Sequence, residues 1–225
     1  MPVSPASKFR TRGEILYHAA RLFRLRGYAG TNIDDIMLAA GLTRGAFYAH
    51  FGSKDDLFTE IIRAGLGLLT RLRTGEPPTV LKAYLDKAEL AATAQGCTLA
   101  ALPGDVARAP LAARLAYANV LQATIAELAR TKRRKLDADA TVAAILAVGA
   151  VTLARASGDT RLSDWLLRCA HRATVPLLKP RASPARKRSR SRRKAAGARR
   201  SRRAARSRGG RAAAAPKARS SAARR

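Results

Sequence analysis

Between Ile15 and Leu178 the apolar residues recur every three to four positions, and no stretch shows the β-branched alternation of a half-buried strand. That periodicity restricts the fold to the all-α class. Ile15, Leu16, Ala19, Leu22 and Phe23 make one stripe, Arg21, Arg24 and Arg26 lie off it, and Gly27 is a natural stop, which predicts a first helix. Thr31 and Asn32 offer an N-cap, with Asp34 and Asp35 in a first turn where the helix dipole favours negative charge, so a second helix runs to about Ala40. Gly41 supplies a tight turn, and Thr43 caps a third helix that ends near Phe51 and Gly52. Ser53 caps a fourth, expected to continue to Arg73 before Gly75-Glu-Pro-Pro78 ends it. Further helices are predicted over 79–93, 107–135, 139–156 and 161–178, with Pro103-Gly104 and Pro110 as breaks.

The pattern stops at Leu178. Residues 179–225 hold 20 of the 44 Lys and Arg and no acidic residue, whereas the body before them has 24 basic and 15 acidic residues. With almost no large apolar side chain, this tail cannot offset the entropy of ordering and is expected to be disordered. Its clusters RKRSRSRRK (186–194) and RRSRRAARSR (199–208) lack aromatics for base stacking, so they suit phosphate binding without sequence preference.

Catalysis finds no foothold. His18, His50 and His171 form no metal-ligand pair, no glycine-rich phosphate loop or nucleophile elbow is present, and Asp34-Asp35 and Asp55-Asp56 are explained as helix-start charges. No catalytic residue, metal or cofactor is predicted. Cys97 and Cys169 lack CxxC spacing and no secretory leader opens the chain, so a reducing compartment is expected. The uncharged runs 90–104 and 140–154 fall short of the roughly 20 residues of a membrane span, and no membrane partner is expected.

The run 140–154 carries no charge on any face. A helix apolar all round is covered on all sides, which predicts packing against a second subunit as well as the core, with the stripe Leu162, Trp165, Leu166, Cys169 and Ala173 of the last helix beside it. A central core helix within one monomer is the alternative.

Residues 43–54 read TRGAFYAHFGSK and set Gly45 inside a short helix, where glycine costs about 1 kcal/mol relative to alanine. The second helix, the Gly41 turn and the third helix have the proportions of a helix-turn-helix, whose second helix enters the DNA major groove. In that setting Gly45 lets the helix backbone approach the duplex. Thr43, Arg44 and Tyr48 flank it as donors to base edges or phosphates, His50 and Lys54 extend the row, and Phe47 and Phe51 lock the helix from behind. The same spacing also fits an ordinary helical hairpin.

The string TNIDDIMLAAGLTRGAFYAHFGSKDDLF (31–58) closely resembles the DNA-binding domain of TetR-family transcriptional regulators, and TRGEILYHAARLFRLRGYAGT (11–31) is similar to that family's first helix. The resemblance runs from about Phe9 to Leu69 and is looser beyond, where GCTLAALPGDVAR (96–108) is similar to one branch of the family. It implies three parts: a three-helix DNA-binding domain over 9–69, a helical ligand-binding and dimerisation domain over 70–178, and the tail over 179–225. By resemblance the DNA contacts fall on Arg10, Arg12, Thr31, Asn32, Thr43, Arg44, Gly45, Tyr48, His50 and Lys54. The expected partners are double-stranded DNA at a palindromic operator, a second copy of the chain, and a small-molecule effector that releases the operator. Tyr84, Leu99, Leu102, Tyr117 and Leu121 are candidate pocket residues that serve equally well as core. Val142, Ile145, Leu146, Gly149 and Leu153, with Leu162, Trp165, Leu166 and Cys169, are the candidate dimer interface. A cytoplasmic, nucleoid-associated location is expected. The alternative reading is an architectural DNA-packaging protein dominated by its tail.

Overall fold

The computed structural model describes residues 5–130 and 137–178, and the predicted basic tail lies outside the described residues. The described residues are helical throughout, without a strand. Helix α1 (Pro5–Arg26) begins ten residues before the first stripe residue and buries Ile15, Ala19, Ala20 and Phe23. It stops at Gly27, whose φ of 74° is a left-handed conformation that glycine adopts without strain.

Helix α2 (Ile33–Ala39) starts as predicted. The Asn32 side chain accepts from the Asp35 amide at 2.7 Å, and the Asp35 carboxylate accepts from the Asn32 amide at 3.4 Å, a capping box. Gly41, at φ 67°, turns the chain into α3 (Arg44–Tyr48). This helix is shorter than the prediction to Phe51. Its last residues pass into a loose turn, in which the amides of His50 and Phe51 both donate to the Phe47 carbonyl, at 2.9 and 3.0 Å.

The single helix predicted from Ser53 to Arg73 is two. Ser53 caps α4 (Lys54–Ala64) as expected, accepting from the Asp56 amide at 3.1 Å. The helix then ends at Gly65 (φ 60°), and α5 (Leu68–Thr74) starts after Gly67 (φ 106°). A Cβ on Gly67 would lie 2.4 Å from the Cys97 Cα, so the break brings two backbones together where only glycine fits.

The region 79–135 is likewise more divided than predicted. It comprises α6 (Pro77–Tyr84), α7 (Lys87–Ala91), a 3-10 turn (Thr93–Gln95), α8 (Thr98–Ala101), α9 (Pro103–Ala107) and α10 (Leu111–Leu128). Asp86 ends the expected 79–93 helix by capping α7, accepting from the Ala88 amide at 3.0 Å. Pro103 opens α9 at a first-turn position, where its missing N–H costs nothing, and Pro110 precedes α10 and separates it from 107. Residues 131–135 of the expected long helix lie outside the described residues.

Helices α11 (Ala138–Ala156) and α12 (Thr160–Leu177) match their predictions within one residue at each end. They form a hairpin turned at Gly158 (φ 63°), with Asp159 capping α12 through the Arg161 amide at 2.8 Å. The Ser163 hydroxyl donates to the Ala154 carbonyl at 2.8 Å across the hairpin. Among the described residues α11 is long and apolar enough by length and composition to cross a membrane, its 19 residues extending past the uncharged run at both ends to Asp139 and Arg155. One of its faces, Ala140, Ala143, Ala144, Ala147, Val151 and Ala154, is core.

Two hydrophobic cores result. The first joins α1 to α4 through Ile15, Phe23, Ile36, Met37, Phe47, Leu57, Phe58 and Ile61, with Phe23 and Phe58 edge to face at 5.3 Å. Leu102, Val106, Ala113 and Ala116 from α9, α10 and the residue before them complete it. The second gathers Leu68, Leu72, Leu81, Tyr84, Leu99, Val120 and Leu128 around the alanine face of α11 and Leu167 of α12.

Candidate nucleic-acid interface

Helix α3 is held from behind by Phe47, which is fully buried and packs, tilted by 35°, at 5.7 Å from Phe51. That anchoring leaves Thr43, Arg44, Gly45 and Tyr48 on the outer surface, Tyr48 with 56% of its surface exposed. Thr43 caps the helix by position, yet its hydroxyl makes no capping hydrogen bond. A Cβ on Gly45 would meet nothing within 4 Å. Packing inside the molecule therefore does not require this glycine.

Arg44 reaches back to the Asp34 carboxylate of α2 at 2.5 Å. A hydrogen bond to Tyr48, first, and the charge of Asp34, second, hold the guanidinium above its usual pKa. Both partners are solvent-exposed, so the pair contributes little to stability and can exchange for a phosphate or a base edge. Sequence reasoning missed Asp34, in the first turn of the preceding helix, as the resting partner.

The remaining predicted contacts divide. Arg10 and Asn32 are exposed, Asn32 with its side chain engaged in the α2 cap. Thr31 is only 1% exposed, and its hydroxyl donates to the Gly27 carbonyl at 3.0 Å, so its side chain does not reach the surface. Arg12 is occupied. It donates to Glu60 of α4 at 2.5 Å and lies over the Phe51 ring at 4.6 Å, tying α1 to α4.

Lys54 at the start of α4 donates to the carbonyls of Tyr28 and Thr31 at 2.8 and 2.7 Å and lies 4.0 Å over the Tyr28 ring. Two of its three protons are thus spent inside the fold. Burial lowers its pKa, and Asp55 opposes that effect. Tyr28, which sequence reasoning passed over, also donates to the Asp55 carboxylate and fixes the loop before α2 onto α4. His50 is half-buried, with Nδ1 out of solvent and unbonded. Burial first, then the charges of Lys8 and Arg12, keep its pKa below the usual histidine value.

Four of the five pocket candidates, Tyr84, Leu99, Tyr117 and Leu121, meet at the second core, and Leu102 lies in the first. Within the second core Tyr84 and Leu99 are buried, while Tyr117 and Leu121 flank them. The Tyr117 hydroxyl donates to the Leu99 carbonyl at 2.8 Å, and burial pushes its pKa up to about 12. A cavity of about 600 Å³ lies between α1 and α4. The interface candidates are exposed or half-buried. Val142, Ile145 and Leu153 of α11 and Leu162 and Trp165 of α12 are exposed, Ile145 by 63% and Trp165 by 52%, with Leu146, Gly149, Leu166 and Cys169 half-buried between them.

Residues 15–61 match the family described as bacterial regulatory proteins, tetR family. Over 51 residues the chain is 53% identical to the HTH-type transcriptional regulator AcrR of Shigella flexneri, a match covering 23% of this chain and 24% of that protein. Over 58 residues it is 41% identical to the HTH-type transcriptional repressor KstR2 of Mycobacterium tuberculosis, covering 26% and 29%. The chain thus spans less than a third of the length of these relatives. Among solved structures, reduced NemR from E. coli has a TM-score of 0.57 at 21% identity, over 72% of this chain and 95% of that one. A regulatory protein TetR from Rhodobacter sphaeroides has a TM-score of 0.54 at 22% identity, over 72% and 97%. These likenesses carry the fold, C-terminal helices included, and the sequence matches carry the head, whose residues 15–61 are similar to the tetR family of bacterial regulatory proteins.

Proposed function

We propose that the protein is a DNA-binding regulator of transcription that reads its operator with α3. The supporting observation is the outer face of that helix, where Arg44 and Tyr48 stand beside a glycine that nothing inside the fold requires. A backbone bare at Gly45 can press against the duplex. Arg44 then exchanges Asp34 for a guanine edge or a phosphate, and Tyr48 reaches a phosphate oxygen. The repressor named among the relatives favours repression, and in this reading a small effector releases the operator.

A single head reads only a half-site. The exposed apolar surface of α11 and α12 suits a second copy of the chain, joined about a two-fold axis as a four-helix interface. Two α3 helices then meet a palindrome with half-sites about 34 to 36 Å apart. Effector binding weakens DNA binding by the same factor that DNA weakens effector binding. The basic tail adds phosphate affinity without sequence preference, which raises the local concentration of DNA around the reading heads.

Footprinting on the DNA flanking the gene is the direct test, with a protected palindrome expected. Arg44→Ala is expected to weaken that binding by about 1–3 kcal/mol and relax base choice at one position of each half-site. Truncation after Leu178 is expected to flatten the salt dependence and leave base choice intact. Protection spread evenly over all sequences, lost uniformly on raising salt, supports the architectural reading instead.

A further inference from the structure

Three of the six acids between Pro5 and Ala64 serve the fold. The Asp35 carboxylate accepts from the Asn32 amide in the α2 cap and lies 3.7 Å from Arg26, Glu60 is held by Arg12, and Asp55 accepts from the Tyr28 hydroxyl. Asp34 is placed differently. Its carboxylate is exposed in the first turn of α2, and its one partner among the described residues is Arg44, the exposed cation beside Gly45 on α3, at 2.5 Å. Arg44 in turn hydrogen-bonds to Tyr48. Asp34 thus stands in the same outer row as the donors of α3, as an acceptor among them.

A carboxylate in that row changes character on DNA. When Arg44 turns to a guanine edge, Asp34 loses its donor and is left near phosphates, whose charge repels it. It opposes binding unless the duplex supplies a donor. In the major groove only cytosine N4 and adenine N6 are donors, whereas guanine N7 and O6, adenine N7 and thymine O4 are acceptors that repel a carboxylate. An A·T pair sets its donor between two acceptors, but a G·C pair sets cytosine N4 at the end of the row, beside guanine O6 and N7. Arg44 and Asp34, with a donor beside an acceptor at 2.5 Å, present the complementary order.

We propose that Asp34 is a second base-reading residue, whose carboxylate accepts from the N4 amino group of a cytosine in each half-site. The exchange that frees Arg44 for guanine then gives Asp34 a donor as well. Much of the selectivity comes from exclusion: thymine or guanine at that position sets an acceptor against the carboxylate, and adenine flanks its one donor with acceptors. This deepens the regulator reading and rests on it.

The test is selection of duplexes from a random-sequence pool by the full-length protein, followed by affinity measurements at fixed salt on the duplex selected. The wild type is expected to require a cytosine at one position of each half-site, and Asp34→Ala to lose that requirement without weaker binding to other sequences, since a negative charge has been removed. Asp34→Asn, whose amide donates as well as accepts, is expected to move the preference from cytosine toward adenine. Replacing that cytosine by N4-methylcytosine keeps its pairing with guanine and blocks the N–H that faces the groove. The replacement is expected to cost the wild type about tenfold in affinity and Asp34→Ala less than about twofold. Asp34 is exposed, so both variants are expected to keep the wild-type unfolding midpoint, which separates a change of base choice from a loss of fold. Identical bases selected by the wild type and both variants, or equal losses on the methylated duplex in the wild type and Asp34→Ala, overturn the role of Asp34 and leave the regulator reading standing. A wild-type chain that selects no sequence overturns both.

Discussion

The two outward faces of this chain are built in opposite ways. Helix α3 turns a polar row outward over a buried phenylalanine, whereas α11 and α12 turn isoleucine, leucine and tryptophan outward over a floor of buried alanines. In an ordinary monomer the large apolar side chains fill the core and the small or polar ones face water. At α3 that order holds and the outer row is free for a polar partner. At α11 and α12 it is inverted, which suits the proposed cover by a second copy of the chain. The inner layer of each region thus explains stability, and the outer layer indicates the partner.

Removing the inner layer has the largest effect. Phe47→Ala is expected to destabilise the protein by about 3–5 kcal/mol, read from chemical denaturation, because the buried ring anchors α3 and leaves a cavity. A loss below 1 kcal/mol means that α3 does not depend on that anchor. Ile145→Arg probes the outer layer of the other region. It is expected to leave the unfolding midpoint of the monomer nearly unchanged but to weaken self-association by about thirtyfold or more in sedimentation equilibrium. An unaltered association constant breaks the contrast between the two faces.

The smallest expected effect is that of pH at the edge of α3. His50 has a folded-state pKa below its unfolded value, so the unfolded chain takes up more protons as pH falls below about 6.5. Stability is accordingly lost on acidification, from the unfolded value down to the lower folded one. His50→Gln is expected to reduce the difference between denaturation midpoints at about pH 7.5 and about pH 5.5. An undiminished difference assigns the pH dependence to other groups.

Much of the head was legible because local chemistry sets it. Asn32 and Ser53 cap the helices that their types and positions predict, and the apolar spacing finds Phe47 in the core. What the spacing could not show was pairing across the chain. Arg12 is bound to Glu60, 48 residues away, and Lys54 is held by carbonyls 23 and 26 residues before it. Both carry charge in a pattern that reads as surface, and only the tertiary fold consumes their donors. Thr31 was a similar case, since a threonine before a helix reads as a cap and here turns inward to Gly27.

In the C-terminal half the helical period was legible and the breaks were not. Leu66 continues the apolar stripe of α4, so the helical spacing runs on across Gly65 and Gly67; the contact of Gly67 with Cys97, which demands the break, is 30 residues away in sequence. Asp86 ends a helix by the same capping chemistry that was recognised at Ser53, but without the aspartate pair in the first turn that marked the latter. Four of the pocket candidates gather at one core, as large apolar residues at helical spacing do, and spacing alone does not distinguish a core from the lining of a cavity.

Gly45 bears most directly on the idea that α3 lies against DNA. Alanine there meets nothing within 4 Å and improves helix propensity by up to about 1 kcal/mol, so Gly45→Ala is expected to unfold at the same or a higher denaturant concentration than the wild type. On the duplex that the wild-type chain selects from a random-sequence pool, the same variant is expected to bind about tenfold or more weakly, because the added methyl group holds the helix off the bases. Wild-type affinity in Gly45→Ala, with stability retained, would contradict a reading surface at α3.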